Sequence, residues 1–69
     1  MNQQAIDKLR TECHRLGITR WRLFNVGKVS KDTAAKFLAG GEVTEKTFNR
    51  ILYVVAVYQE TEKANGESE

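Results

Sequence analysis

Three pairs of residues, each a β-branched apolar residue followed by Ser or Thr, divide the middle of this chain into short segments. They are Ile18-Thr19, Val29-Ser30 and Val43-Thr44. A Ser or Thr hydroxyl caps a helix by accepting a hydrogen bond from a backbone N–H of the first turn, and an apolar residue just before the cap packs against the fourth helical residue. The pairs therefore predict three helix starts between residues 18 and 44.

A further helix is predicted before the first of these starts. Along residues 2–16 the apolar residues recur at spacings of three and four: Ile6, Leu9, Cys13 and Leu16. This spacing places them on one face of a helix, and Gly17 is suited to end that helix in the left-handed conformation.

The other helices are predicted over residues 20–26, over residues 31–39 and from about residue 45. Their inward residues are Leu23 with Phe24 or Val26 in the second helix, Ala34, Phe37 and Leu38 in the third, and Phe48, Ile51, Leu52 and Val55 in the fourth. Gly40-Gly41 ends the third helix. Residues 52–58 also permit a strand, but the cap at Thr44 and the spacing favour a helix. The predicted fold class is all-α, a small four- to five-helix bundle.

Length and composition exclude several classes of protein. A chain of 69 residues forms one domain, and at this size folding buries only about 60% of the surface of the unfolded chain. One cysteine and one histidine provide neither an internal disulfide nor a set of zinc ligands. There is no apolar run of bilayer length, no signal peptide, and no nucleophile and base at a suggestive spacing. We expect a cytoplasmic protein that is not an enzyme, has no metal, cofactor or small-molecule ligand, and does not enter a membrane.

The charges are distributed unevenly. Residues 60–69 hold four glutamates against one lysine, a net charge of −3 that predicts a short disordered acidic tail, and residues 1–59, the predicted folded domain, carry +5. Within that domain, residues 20–36 carry five basic residues against one acid, a net charge of +4. Such a focus of positive charge favours a polyanionic partner, although a solvated lysine-rich surface has the same pattern.

The second and third predicted helices, joined by "VGKV", have the form of a helix-turn-helix unit. In the third helix, small or charged residues lie opposite the inward Ala34 and Leu38, namely Asp32, Ala35, Lys36 and Ala39, and Lys31 lies on the flank near the N-terminus. A face this slender can enter a DNA major groove, which is about 12 Å wide. The sequence therefore favours this helix as a recognition helix.

Residues 17–52 resemble the Cro and lambda-repressor-like superfamily of helix-turn-helix DNA-binding domains, which includes the XRE-like regulators of phages and plasmids. The resemblance is carried by Leu23 six residues before Val29, the Val29-Ser30 pair, Thr33, Lys36, and Leu38 followed by Gly40. Two positions depart from the family pattern. Phe24 stands where a small residue is usual and Lys28 where glycine is usual, and Gly27 is an alternative for the turn.

The resemblance implies a role for each position. Base-reading residues would be Lys31, Asp32, Ala35 and Lys36. Phosphate contacts would come from Thr19, Arg20, Trp21, Arg22, Lys28, Ser30 and Thr33. Structural roles stay open for some of these residues: Thr19 and Ser30 are also caps, Asp32 can pair with Lys36, and Trp21 can be a partly buried surface aromatic.

The segment "ILYVVAVY", residues 51–58, is apolar on two faces of a helix. A helix packed on one small domain should bury only one apolar face. We interpret the second face as a homodimer interface formed by Tyr53, Val54, Val57 and Tyr58. The alternative is that helix one or the chain terminus covers it.

The predicted function is that of a transcriptional regulator, a phage- or plasmid-type repressor that occupies a palindromic double-stranded DNA operator as a dimer. The alternative, from another class, is a small protein-interaction module, an antitoxin or adaptor, that binds its partner through residues 51–58.

Overall fold

The computed structural model describes residues 2–67, and these form four helices. They are α1 (Gln3–Arg15), α2 (Arg20–Gly27), α3 (Lys31–Leu38) and α4 (Glu45–Glu67). No strand occurs within residues 2–67. The predicted all-α class is therefore confirmed, and residues 52–58 are helical.

Each of the three predicted capping hydroxyls begins a helix. Thr19 accepts a hydrogen bond from the Arg22 N–H at 3.4 Å, Ser30 from the Thr33 N–H at 3.3 Å, and Thr44 from the Thr47 N–H at 3.3 Å. These bonds satisfy backbone donors that have no partner inside the helix. The helix starts follow from short-range chemistry that the sequence displays.

The turn between α2 and α3 is made by Lys28, which has φ 59° and ψ 30°. The left-handed conformation costs a non-glycine residue roughly 1 kcal/mol. Gly27, the other candidate for this turn, is instead the last residue of α2 and is buried. The alternative that Gly27 makes the turn is therefore wrong.

Gly27 lies where α2 approaches α4 most closely. A Cβ atom at Gly27 would lie 2.6 Å from Cγ2 of Val54 and 3.1 Å from the carbonyl oxygen of Arg50. The first distance is too short for a carbon atom unless Val54 moves, and the second requires the backbone of Arg50 to shift by a few tenths of an ångström. The absent side chain of Gly27 thus sets how close the two helices pack.

The core lies between the four helices and contains Phe37, Leu23, Ile51, Val54 and Cys13 as its largest fully buried side chains. In α1 the predicted inward residues Ile6, Leu9 and Cys13 are buried. In α2 the partner of Leu23 is Val26, which is partly buried against the core, whereas Phe24 is exposed. Burial raises the pKa of the Cys13 thiol to about 11.

The inward face of α4 differs from the predicted one. Ile51, Val54 and Val55 are buried, Phe48 is partly buried, and Leu52 is 47% exposed. The prediction that Leu52 faces the core and Val54 faces away is wrong. Because Gly27 has no side chain, Val54 can pack against α2. This contact orients residues 51, 54 and 55 of α4 toward the core and leaves Leu52 at the edge of that face.

Residues 60–67, which the charge pattern assigns to a disordered tail, continue α4 in the structure. One contact from this segment, and one from Gln59 just before it, join α4 to α1. Arg15 donates to the Glu62 carboxylate at 3.2 Å, and the Gln59 amide donates to Glu12 at 2.7 Å. The helix thus runs past the predicted boundary at residue 60, and residues 68 and 69 lie outside the described residues.

Candidate nucleic-acid interface

The outer face of α3 carries all four of the predicted base-reading residues. Lys31, Asp32 and Lys36 are exposed and Ala35 is partly buried. On the opposite side of the same helix, Ala34 and Phe37 are fully buried. The helix is thus fixed to the core by one face and presents a narrow polar face to solvent.

Lys31 lies against two aromatic rings of α2. Its ammonium nitrogen is 3.9 Å from the ring centroid of Trp21 and 5.2 Å from that of Phe24. Both rings remain accessible, Trp21 to 52% and Phe24 to 41%. These contacts bring the N-terminal ends of α2 and α3 together on one surface.

The predicted phosphate-contacting residues are also accessible. Thr33 is partly buried, and the others are exposed: Thr19, Arg20, Trp21, Arg22, Lys28 and Ser30. The hydroxyl of Ser30 donates to that of Thr33 at 2.8 Å. Thr19 and Ser30 are helix caps, so the structural role left open for them is confirmed, and both residues are exposed.

Arg50 of α4 joins this surface, which the sequence does not predict. Its guanidinium donates to the carbonyl oxygen of Lys28 at 3.2 Å, and its side chain is exposed. It therefore supports the strained turn and adds a second positive charge beside Lys28. Arg50 lies beside the turn because α2 packs on α4, and no short-range pattern in the sequence predicts this packing.

Arg10 of α1 holds the C-terminal end of α3. Its Nε donates to the carbonyl oxygen of Phe37 at 2.6 Å, its Nη2 to that of Gly41 at 2.7 Å, and its Nη1 to Asp7 at 2.8 Å. The guanidinium carbon also lies 5.1 Å from the centroid of the Phe37 ring. A cation at a helix C-terminus is favourable because of the helix dipole.

His14 lies one turn further along α1, with Nε2 3.1 Å from the carbonyl oxygen of Leu38. Together with Arg10 it anchors the end of α3. A signal for Arg10 exists in the sequence, because positions 6, 9, 10 and 13 share one helix face, and an arginine on an apolar stripe needs acceptors.

Asp32 and Lys36 do not pair. The ion pairs among the described side chains join Arg10 to Asp7, and Arg15 to Glu12 and to Glu62. The possible Asp32–Lys36 pair is therefore not formed. Asp32 stands in the first turn of α3, where a negative charge favours the helix dipole.

The charges on the side of the molecule formed by α1 and the later part of α4 are largely paired. Arg15 donates two hydrogen bonds to Glu12 and also contacts Glu62. The hydrogen bonds from Arg15, and then from Gln59, lower the pKa of Glu12 to about 2. The unpaired positive charge of the described residues is concentrated on α2, α3 and the start of α4.

Of the four residues predicted for a dimer interface, three are at least partly accessible and one is not. Tyr53 is 60% exposed, Val57 and Tyr58 are partly buried, and Val54 is fully buried. The prediction for Val54 is wrong, because this side chain packs against Gly27 within the chain. Among the described side chains of α4, Leu52 and Tyr53 are the large hydrophobic ones that are exposed.

A groove of about 670 Å³ separates α1 from α4. Its apolar floor includes Ala5, Leu9, Phe48, Leu52 and Val55. Polar side chains line the rest of it, among them Asp7, Lys8, Glu12 and Gln59. This is a second accessible surface, and it involves α1 and α4 rather than α2 and α3.

Two further classes of feature are absent from the part of the chain that the structure describes. None of its helices combines the length and apolar character needed to cross a bilayer. No group of three or more His, Cys, Asp or Glu residues is arranged to hold a metal ion.

Comparisons with protein-family models, with curated proteins and with solved structures gave no match for this chain.

Proposed function

We propose that this chain is a sequence-specific, double-stranded DNA-binding regulator of transcription. It would act in the cytoplasm as a repressor of the phage or plasmid type and occupy its operator with α3 in the major groove. One observation carries the proposal: α3 is anchored by Ala34 and Phe37 while Lys31, Asp32 and Lys36 are exposed along its outer face.

Base recognition would come from this outer face. Lysine ammonium groups donate to O6 and N7 of guanine, a carboxylate accepts from the amino group of cytosine, and an alanine methyl contacts the methyl of thymine. The ammonium groups would come from Lys31 and Lys36, the carboxylate from Asp32, and the methyl group from Ala35. The two residues on the buried side, Ala34 and Phe37, keep the helix in one orientation.

Affinity would come from the surroundings of the turn. Arg20, Arg22, Lys28 and Arg50 carry accessible positive charges, and the N-terminus of α2 adds backbone N–H groups that favour phosphate. Six or so phosphate contacts would give a slope of about −5 for the logarithm of the binding constant against the logarithm of the salt concentration.

Selection of bound sequences from a random pool of DNA duplexes tests the proposal. A repressor of this kind should return a half-site consensus repeated with inverted symmetry. The recovered duplex then serves as the probe for variants. Failure to enrich any sequence, together with no binding to duplex DNA at low salt, would overturn the proposal.

Lys36→Ala should weaken binding to the selected duplex by about 1 to 3 kcal/mol, because the variant removes one donor to a base edge. The side chain is exposed, so the melting temperature should change little. Fluorescence anisotropy with labelled duplex measures the affinity, and circular dichroism measures the melting.

Lys8→Ala is the matched control for this variant. Lys8 is an exposed lysine of α1 on the groove between α1 and α4, so its loss should leave the affinity nearly unchanged. If the two variants weaken DNA binding equally, Lys36 contributes only its positive charge, and the outer face of α3 does not read bases.

Reading an inverted repeat requires two copies of α3 about 34 Å apart, one helical turn of DNA. A homodimer through α4 would provide them. The support is the accessible apolar side chain of Tyr53, together with the partly exposed Val57 and Tyr58 on the same helix.

Tyr53→Glu should therefore produce a folded monomer that binds the inverted repeat at least about tenfold more weakly, because a buried unpaired charge opposes association. Analytical ultracentrifugation measures the oligomeric state. Asn25→Asp places a similar charge on the exposed face of α2 and should leave the sedimentation unchanged. A wild-type chain that sediments as a monomer at all concentrations would contradict the dimer.

A protein-interaction module is the second candidate. It is favoured by the groove between α1 and α4, with Leu52 in its apolar floor, which the DNA-binding function does not use. If Lys36→Ala changes neither DNA affinity nor salt dependence, this candidate becomes the better one.

A further inference from the structure

We infer that Trp21 and Phe24 form an aromatic clamp that holds Lys31 in position to read a base before DNA arrives. The inference rests on the proposed DNA-binding function and assigns positioning roles to two residues of α2. It makes Lys31, rather than Lys36, the lysine that contributes more to sequence discrimination.

The clamp is built by the spacing of its residues. Trp21 and Phe24 are three positions apart in α2 and so lie on one side of that helix. Lys31 is the first residue of α3, and its ammonium nitrogen is 3.9 Å from one ring centroid and 5.2 Å from the other. Both distances are within the range of about 6 Å in which a cation is attracted to an aromatic face.

The exposure of the two rings agrees with this role. Leu23 and Val26 occupy the inward positions of α2, so Trp21 and Phe24 do not contribute to the core. Two large aromatic side chains nevertheless remain on the surface, beside the N-terminus of the proposed recognition helix. Their described partner there is the ammonium of Lys31.

Holding Lys31 should improve its contact with a base. A free lysine side chain has many rotamers and loses that freedom when it binds, which weakens each contact it makes. A lysine that is already held on two rings loses less. An ammonium lying on a ring keeps N–H donors on its other side, so the clamp and the base contact are compatible.

Lys36 provides an internal comparison. It is exposed on the same face of α3, but the stem of its side chain packs on Gly41, where a Cβ atom would lie 2.6 Å from Cγ of Lys36. The cation–aromatic contacts among the described residues involve Lys31 and Arg10. Lys36 is therefore a matched lysine without a clamp.

A double-mutant cycle tests the clamp. The affinity for the selected duplex is measured for the wild type, Trp21→Leu, Lys31→Met and the double variant, and the same cycle is repeated with Lys36→Met in place of Lys31→Met. Trp21→Leu should weaken binding about two- to fivefold when Lys31 is present, and should have almost no effect in the Lys31→Met background. In the Lys36→Met background it should keep its full effect, and Trp21→Phe should restore most of the wild-type affinity.

A loss of affinity that is the same in the Lys31→Met background would mean that Trp21 contacts DNA by itself, and this would overturn the inference. So would a Trp21→Leu variant that binds like the wild type. The discrimination between the selected duplex and one with a single G·C pair changed should fall with the clamp, which a purely structural effect would not produce.

The free protein separates failure of the clamp from failure of the proposed function. Trp21 is the single tryptophan, so its fluorescence reports on this site. Lys31→Met should shift the emission and Lys36→Met should not. If this shift occurs and the wild type binds no duplex, the clamp exists but the DNA-binding function fails; if duplex binding is normal and the shift is absent, the clamp fails by itself.

Discussion

Gly27→Leu is expected to lower the free energy of unfolding by about 3 kcal/mol or more, the cost of overpacking a close helix contact. The new side chain meets Cγ2 of Val54, 2.6 Å from the first added carbon, and the rigid carbonyl of Arg50 at 3.1 Å. A better helix propensity returns at most about 1 kcal/mol. The melting temperature should fall by about 12 to 24 °C for a domain of this size. Urea unfolding followed by circular dichroism measures the change.

Two further variants test the cause of this loss. Asn25→Leu introduces the same side chain at an exposed position of α2 and should leave stability nearly unchanged. Val54→Ala makes room for a larger residue 27, so the double variant should lose less stability than the two single variants together. Additive losses would show that Gly27 and Val54 do not limit the approach of α2 and α4.

Arg10→Met is expected to cost about 3 kcal/mol of stability. The guanidinium donates to the carbonyl oxygens of Phe37 and Gly41, and hydrogen bonds to charged groups contribute about 1.5 to 3 kcal/mol each. Its side chain is 15% exposed, so solvent does little to replace these bonds. Hydrogen exchange should show faster opening at the C-terminal end of α3 than at its N-terminal end, because Arg10 holds only the former.

Lys8→Met is the control for the loss of a positive charge on α1. Lys8 is exposed, so this variant should unfold within about 0.5 kcal/mol of the wild type. An Arg10→Met variant as stable as the wild type would mean that the two carbonyl contacts contribute nothing net to folding.

The positions of the helices could be predicted because their signals are local. Each of Thr19, Ser30 and Thr44 begins a helix through a bond to a residue three positions later. Gly17 and Gly40 adopt the positive φ values that end helices, 69° and 110°. None of these features depends on a distant part of the chain.

The packing of α4 could not be predicted because it depends on α2. Stripes 48-52-55 and 51-54-58 are both apolar, and the sequence does not say which one faces the core. The face that contains Val54 packs on the core because Gly27, which has no side chain, leaves space for Val54 against α2. A residue without a side chain gives no periodic signal of its own, so the pattern predicts Phe48, Ile51 and Val55 correctly but places Leu52 instead of Val54 at the core.

The sequence of α3 predicts which of its residues are exposed, but it does not predict the residues of other helices that hold α3 and the preceding turn in place. Lys31, Asp32 and Lys36 are exposed as expected. Arg10 donates to the carbonyl oxygen of Phe37 in α3 from 27 positions away, and Arg50 donates to that of Lys28 in the preceding turn from 22 positions away. The contact of Lys31 with Trp21 likewise requires the turn at Lys28, whose geometry sets how the two helix starts meet.

The thiol of Cys13 gives this protein a built-in measure of how often it opens. The side chain is fully buried, and its pKa of about 11 keeps it protonated at neutral pH. The thiolate is the form that attacks an alkylating reagent, so Cys13 reacts only after α1 separates from the other helices. The rate of alkylation in native buffer therefore counts these separations, and no other cysteine competes for the reagent.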